Sequence, residues 1–166
     1  LLHNVLAWTH ENKDFALVDI HSCLKQSLEQ LSWQAVDKQI QWKLELTTEP
    51  LQSRGSRHLL EAIFRNILSN AIRHSYPSGV VTVQTQRNGN WLEIHISDIG
   101  EGMSVDQLLR LLSGAPLREP RNGGYGIGMS FTQEFVRQID GELTIQSSLE
   151  QGTRVSLSLP AEPVPQ

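Results

Sequence analysis

The 166-residue sequence is short of several residue types and patterns, and each shortage excludes a class of protein. A single cysteine, Cys23, excludes an internal disulfide framework and a cysteine-based zinc site. No apolar run approaches the roughly 20 residues that span a bilayer, and no secretory signal peptide is visible. The net charge of −4 is not the basic surface that nucleic-acid binding needs. We therefore expect no direct membrane contact from this chain and no nucleic-acid partner.

The length and composition indicate one globular domain. At 166 residues the chain can bury a sizeable core, and 39% hydrophobic with 19% charged residues is an ordinary globular composition. The sequence begins at Leu1 rather than at a methionine, so we expect it to be a piece of a longer chain. We predict an ordered domain over residues 15–160, with a helix end and a connector over 1–14 and a proline-rich tail over 161–166.

The spacing of apolar residues predicts helices packed on a β-sheet. Alternation with period 2 is typical of half-buried strands, and spacings of three and four are typical of amphipathic helices. These patterns predict strands over 15–20, 40–46, 80–87, 91–97, 143–147 and 153–159. They predict helices over 58–75 and 127–139, and a first helix that starts at Asp19 or Ser22 and has an apolar face from Leu24 to Ala35. Residues 50–55 are predicted as a loop, and 103–123 as an irregular connection with about one helical turn near 108–112. The fold class is an α/β two-layer sandwich (α+β) with a mixed, mostly antiparallel sheet.

One polar stripe interrupts the apolar pattern of the helix predicted over 58–75. Asn66, Asn70 and Arg73 are spaced i, i+4 and i+7, so they share a helix face. Two carboxamides and a guanidinium suit a metal–phosphate group, because amide oxygens can bind Mg²⁺ and the cation can bind phosphate. The alternative is an ordinary solvated helix face, which the helix alone would favour.

Two glycine-rich segments follow. Asp98 opens the first, Asp98-Ile99-Gly100-Glu101-Gly102-Met103, and an ionised carboxylate accepts hydrogen bonds from an amine such as adenine N6. Gly100 and Gly102 would let the backbone approach a ring that Met103 packs against. The alternative is a plain turn that Asp98 caps.

The second segment, Gly124-Tyr125-Gly126-Ile127-Gly128-Met129, precedes a predicted helix. Backbone amides at a helix N-terminus bind phosphate oxygens. A Rossmann fingerprint would follow the first strand of a βαβ unit directly, whereas these glycines follow a long loop late in the domain. The pattern therefore argues against a dinucleotide fold.

In this order and spacing the segments resemble the catalytic ATP-binding domain of bacterial two-component sensor histidine kinases, which has the Bergerat-type fold. Residues 66–75 resemble the N box of that family, 98–102 its G1 box and 124–129 its G2 box. Gly152-Thr153 resembles the pair before its last strand, and residues 1–10 resemble the end of the preceding dimerisation helix. The resemblance covers about residues 15–160.

The resemblance implies a role for each motif, with ATP as substrate and Mg²⁺ as cofactor. Asn66 and Asn70 would hold the metal as the catalytic pair, and Arg73 and His74 would contact the phosphates. Asp98 would bind adenine together with Thr153, beside Gly100, Gly102 and Met103. The second glycine segment would bind phosphate through Gly124, Tyr125, Gly126, Ile127, Gly128 and Met129. Arg118 and Arg121 would reach the γ-phosphate from a lid over 103–123.

One position separates kinases from hydrolases of this superfamily. Where the gyrase- and Hsp90-like branches carry a glutamate as general base, this sequence has Asn66, and an amide is not a useful base at neutral pH. The resemblance therefore implies phosphoryl transfer to a histidine on a dimerisation domain outside this chain. It also implies a response-regulator partner, a homodimeric parent, and a cytoplasmic location with the parent anchored in the inner membrane.

Two departures keep other functions open. The family often has a phenylalanine between its glycine boxes, where this chain has Leu108-Leu109-Arg110-Leu111-Leu112. None of the six histidines matches the phosphoacceptor pattern; His10-Glu11 begins to match but lacks the proline. The alternatives are a non-catalytic regulatory module with the same fold and a protein-serine kinase of the anti-sigma-factor type.

Overall fold

A computed structural model describes residues 15–113 and 127–163, without the side chain of Ile127. The predictions about residues 1–14, 114–126 and 164–166 lie outside this part of the chain. Within it, the strands are β1 (Ala16–Asp19), β2 (Gln41–Leu46), β3 (Gln52–Gly55), β4 (Val80–Asn88), β5 (Trp91–Asp98), β6 (Glu142–Ser148) and β7 (Gly152–Pro160). The helices are α1 (Ile20–Gln30), α2 (Ser32–Asp37), α3 (Arg57–His74), α4 (Val105–Leu112) and α5 (Ile127–Gln138). None of these described helices is long and apolar enough to cross a membrane.

The main sheet has five strands in the order β2-β4-β5-β7-β6. β2 is parallel to β4, and every other neighbouring pair is antiparallel. β3 and α3 lie between β2 and β4 in the chain, which is the crossover that a parallel pair needs. The helices pack on one face of this sheet, so the predicted two-layer sandwich with a mixed, mostly antiparallel sheet is confirmed.

The core follows the predicted periodicities. Along β5, alternate residues from Leu92 to Asp98 are buried, and along β7 alternate residues from Thr153 to Leu159 are buried. The facing helix α3 buries an apolar stripe that includes Ile63, Phe64 and Ile67. The strand alternation therefore places two polar side chains, Asp98 and Thr153, at core-facing positions where strands normally carry apolar residues.

The structure corrects two predictions about loops. Residues 50–55, predicted as a loop, contain strand β3, which pairs with β1 in a separate two-stranded antiparallel sheet. The helical turn predicted near 108–112 is the two-turn helix α4, which begins with a capping box: Ser104 accepts from the Gln107 N–H, and the Gln107 side chain accepts from the Ser104 N–H. The first strand ends at Asp19, whose side chain caps α1.

Both ends of the described domain lie against β3. Ala16 pairs with Gly55, and the Glu162 N–H donates to Gln52 O at 2.9 Å. The Arg54 guanidinium contacts the Glu162 carboxylate at 2.8 Å. From this end, α3 runs to the opposite end of the sheet, where Asp98 and Thr153 lie, and β7 runs back from there to β3.

Candidate functional site

Helix α3 carries the predicted polar stripe, but its members differ in burial. Asn70 is 8% exposed, Asn66 is half-buried and Arg73 is exposed. Lys38 Nζ donates to Arg73 O at 2.5 Å, which caps the carboxyl end of the helix. The Asn70 side chain is thus shielded from solvent and that of Asn66 is partly shielded, while Arg73, at the end of the stripe, is exposed to solvent.

A hydroxyl sets the orientation of the Asn66 amide. Thr132 on α5 donates its hydroxyl hydrogen to Gly128 O at 2.9 Å, so the same oxygen must accept from Asn66 Nδ2 at 2.6 Å. This leaves Asn66 Oδ1 as the oxygen that lies beside Gly128, where an added Cβ would come within 2.6 Å of it. The contact joins the predicted N box to the end of the predicted G2 box, and Thr132 is a residue that the motifs did not indicate.

Asp98 is held at the end of β5 by β7. The Thr153 N–H donates to Asp98 Oδ1 at 3.3 Å, and Asp98 is 7% exposed. Ser147 completes this corner: its hydroxyl donates to Gly152 O at 3.1 Å and accepts from the Met103 N–H at 2.8 Å. Because its one hydrogen is used, the Ser147 oxygen accepts from the Thr153 hydroxyl at 2.8 Å. The Thr153 oxygen then has acceptor capacity left beside the carboxylate.

Burial raises the pKa of the Asp98 carboxyl to about 7, because the charged form loses its water. The nearby Glu101 adds to the rise in this pKa, whereas the Thr153 N–H and Lys38 oppose it. A buried carboxyl whose pKa lies near neutral pH is a candidate for a functional group.

The segment from Asp98 to Gly102, termed the glycine turn, is packed between α3 and the β6–β7 hairpin. Ser75 and Gly100 form an isolated β-bridge, and a Cβ on Gly100 would lie 1.9 Å from His74 O. Gly102 has a φ of +60°, and a Cβ there would lie 1.9 Å from Ser148 O. Both glycines are therefore required by close backbone approach, in addition to any contact with a ligand.

His74 lies beneath the glycine turn. Its side chain is 9% exposed, its Nδ1 lies 2.8 Å from Glu101 Oε1, and its carbonyl accepts from the Glu101 N–H at 3.2 Å. Burial lowers the pKa of this imidazole, and the Glu101 carboxylate only partly opposes that shift.

Asp98 lines one small apolar pocket, termed the Asp98 pocket. Three polar residues, Asn70, Asp98 and Thr153, line it together with Ile67, Ala71, Ile96, Met103, Leu111, Met129, Ile145 and Val155. An apolar lining with a few convergent polar groups is the usual character of a small-molecule site. The cavity of about 10 Å³ between these side chains holds about one water molecule. A ring the size of adenine would therefore enter only if the side chains that form the walls moved apart.

A larger cavity of about 340 Å³ lies between α2 and the turn after α3. Trp33, Gln34, Asp37, Lys38, Gln39 and Pro77 line it, and no predicted site residue is among them. The Asp98 pocket is the candidate site because the predicted polar groups meet there.

The structure thus brings together Asn70, Asp98, Met103, Met129 and Thr153 in one pocket wall. Asn66 and Gly128 meet at its α3–α5 side. The predictions for Gly124, Tyr125, Gly126, Arg118 and Arg121 lie outside the described residues, and of Ile127 only the backbone is described, as the start of α5. Sequence motifs missed Leu111, Ser147 and Thr132; the apolar spacing within 108–112 was a signal for Leu111.

The comparisons with known proteins agree on one family. Residues 55–163 match the family described as "Histidine kinase-, DNA gyrase B-, and HSP90-like ATPase". The histidine protein kinase DivJ of Caulobacter vibrioides is 32% identical over 86% of this chain and 24% of its own length. The adaptive-response sensory kinase SasA of Synechococcus elongatus is 31% identical over 82% of this chain and 36% of its own length. The chain therefore spans about a quarter to a third of these relatives.

A solved structure gives the same fold. The mycobacterial sensor histidine kinase MprB superposes with a TM-score of 0.77 at 24% identity, covering 90% of this chain and 99% of that chain. The fold and family predicted from the sequence are thus confirmed. The chain belongs to the family of histidine kinase-, DNA gyrase B- and HSP90-like ATPases, as an ATP-binding catalytic domain of the kind found in sensor histidine kinases.

Proposed function

We propose that this domain binds ATP with Mg²⁺ and transfers the γ-phosphoryl group to a histidine on a dimerisation domain outside the chain. One observation supports the choice of kinase over hydrolase: Thr132 holds the amide of Asn66 in place at 2.6 Å, at the position where the resemblance places the glutamate of the hydrolase branches. An amide fixed in this way cannot take a proton from water at neutral pH. Transfer to a stronger nucleophile, an imidazole nitrogen, is therefore favoured over hydrolysis.

The adenine end of ATP belongs in the Asp98 pocket. The ionised Asp98 carboxylate accepts from the exocyclic amine, and the Thr153 hydroxyl oxygen beside it can accept from the base or from a bridging water. Met103 and Leu111, both almost fully buried, pack against the ring faces once the pocket opens. Gly100 and Gly102 keep side chains out of the approach to the base.

The phosphate end extends along α3 towards the start of α5. Asn66 Oδ1 and the Asn70 amide supply neutral oxygen ligands of the type that Mg²⁺ accepts, and the N-terminal amides of α5 favour negative charge. Arg73, exposed at the end of the stripe, supplies a cation for the phosphates. When bound, the metal ion would neutralise charge on the β- and γ-phosphates.

The transfer itself needs positioning more than covalent participation by the domain. The acceptor imidazole nitrogen bonds to the γ-phosphorus while the bond from that phosphorus to the β-γ bridging oxygen breaks, and ADP leaves with that oxygen. The residues of this chain hold the donor in line, screen its charge and provide no base for water. We also propose that the parent is a homodimer that passes the phosphoryl group to a response-regulator receiver domain. In this proposal the domain is cytoplasmic and the parent is anchored in the inner membrane.

Calorimetric titration with the ATP analogue AMP-PNP and Mg²⁺ tests the proposal. We expect saturable binding by the wild-type domain, no binding by Asp98→Asn, and unchanged binding by Asp106→Asn, which changes an exposed carboxylate on α4. Absence of saturable binding to the wild type would refute the kinase proposal and favour a non-catalytic regulatory module.

The acceptor is tested in the full-length parent with labelled ATP. An acid-labile, base-stable phosphoprotein is expected for phosphohistidine. An acid-stable product would show instead a protein-serine kinase of the anti-sigma-factor type.

A further inference from the structure

The contact between His74 and Glu101 distinguishes between two possible roles of His74, a ligand of the phosphates and a residue that positions the glycine turn. The Glu101 carboxylate has acceptors only, so the hydrogen in the 2.8 Å contact belongs to His74 Nδ1. Burial favours the neutral ring, and a neutral ring with its hydrogen on Nδ1 has an acceptor at Nε2. An acceptor at Nε2 repels phosphate oxygens, so this tautomer does not suit a phosphate ligand.

Glu101 is the residue through which the glycine turn is held from both sides. Its N–H donates to His74 O at 3.2 Å, and its carbonyl accepts from the Glu150 N–H at 2.8 Å. The side-chain contact adds a third attachment, which links the turn to the last turn of α3. Glu101 lies three residues after Asp98 and two before Met103, so its attachments fix the path of the backbone between these two residues.

We propose that His74 and Glu101 form a positioning pair that orients the glycine turn for adenine, and that His74 is not a phosphate ligand. This inference rests on the proposed ATP binding and revises one role within it. Among the described residues, the other charged groups that act on the pKa of His74 are Arg73 and Lys38. Both are cations, which disfavour a protonated imidazole and so support the neutral, donating form.

The affinity for Mg²⁺–AMP-PNP separates positioning from phosphate contact when it is measured for four single variants, for the double variant of His74→Phe with Glu101→Ala, and for one control. His74→Phe keeps a ring but removes the donor, and Glu101→Ala removes the acceptor. His74→Asn places an amide N–H near the position of Nδ1, and Glu101→Gln keeps an acceptor oxygen without the charge. Glu45→Ala, which loses a partly exposed carboxylate paired with Lys43 on the edge strand β2, is the control for a general effect of charge.

The positioning role predicts a specific pattern. His74→Phe and Glu101→Ala each weaken binding about five-fold, the loss of one hydrogen bond, and the double variant is no weaker than either single one. His74→Asn and Glu101→Gln bind within about two-fold of wild type. Glu101→Ala alters an exposed side chain (64% exposed), so it gives the same comparison if His74→Phe does not fold.

The phosphate-ligand role predicts the opposite pattern. His74→Phe and His74→Asn would then weaken binding equally, while Glu101→Ala would leave it unchanged or strengthen it by removing a negative charge. That result, or additive losses in the double variant, would overturn the inference while leaving ATP binding intact. Absence of binding by the wild type would instead overturn the proposed function, and the inference with it.

Discussion

The Asp98 carboxyl predicts that one substitution stabilises the nucleotide-free domain while abolishing its binding of nucleotide. In Asp98→Asn the side chain keeps an oxygen that can accept from the Thr153 N–H, as Asp98 Oδ1 does at 3.3 Å. The variant loses only the charge that the fold buries. Because the folded-state pKa of Asp98 is raised, its contribution to stability is fully present below the unfolded pKa and is lost as pH rises through the folded pKa.

The magnitude follows from the two pKa values. Burial raises the pKa from 3.8 to about 7, a difference of about 3 units at 1.36 kcal/mol each, or about 4 kcal/mol. The side chain is 7% exposed, so solvent screening reduces this figure little. The wild type should therefore be about 0.5 kcal/mol less stable than Asp98→Asn at pH 4, about 1.5 kcal/mol less stable at pH 5, and about 4 kcal/mol less stable at pH 8.

Urea unfolding of the nucleotide-free proteins between pH 4 and 8 measures this difference directly. The free energy of unfolding of each protein is plotted against pH, and the wild-type curve is subtracted from that of Asp98→Asn. The subtraction cancels the pH dependence of every group that the substitution leaves unchanged. Asp106→Asn, which changes an exposed carboxylate outside the lining of the Asp98 pocket, is the control for the loss of one negative charge. A difference for Asp98→Asn that stays constant from pH 5 to 8 would refute the reasoning. With Mg²⁺ and AMP-PNP at pH 8, only the wild type should gain stability.

Four further predictions concern the site and the core. Asn70→Ala should abolish autophosphorylation of the parent without lowering the melting temperature of the domain by more than a few degrees. Asn66→Glu should raise phosphate release from ATP above the wild-type rate by supplying a base; an unchanged rate in a phosphate-release assay would contradict this. Gly100→Ala should lower the free energy of unfolding in urea by about 3 kcal/mol, because its Cβ would overlap a backbone carbonyl. Its control, Gly89→Ala, has a φ of +59° and open space around the added Cβ, and should lower the free energy of unfolding by only about 1 kcal/mol. The thiol of Cys23, buried and with its pKa raised to about 11, should react with a thiol reagent only on unfolding.

Local patterns predicted the main elements because their apolar periods are long and regular. The helix α3 and the hairpin of β4 and β5 match the predictions within one or two residues. Strand β3 was missed because its four residues, Gln52–Gly55, are polar or small and follow a proline. Such a strand exists through pairing with β1, a long-range contact that has no local signal.

In the candidate site too, residues within sequence motifs were predicted, whereas residues whose role depends on tertiary contacts were not. Asn70, Asp98 and Thr153 were predicted because their motifs have a recognisable order. Thr132 and Ser147 were not, since a hydroxyl on a helix or strand is common and becomes informative only when its partner is known. The role of His74 was predicted from its neighbours in sequence, whereas its contact with Glu101 depends on the packing of the glycine turn against α3.

The two elements that connect β3 with the Asp98 pocket, α3 and β7, set the distance between them. Helix α3 begins directly after β3 and ends at the glycine turn, about 27 Å away at 1.5 Å per residue. Strand β7 begins at Gly152 and ends at Pro160, whose carbonyl accepts from the Ser53 hydroxyl, a span of about 26 Å. Helix α3 and strand β7 thus lie between β3 and the Asp98 pocket. The residues of β3 are therefore too far from the pocket to contact directly a ligand bound there.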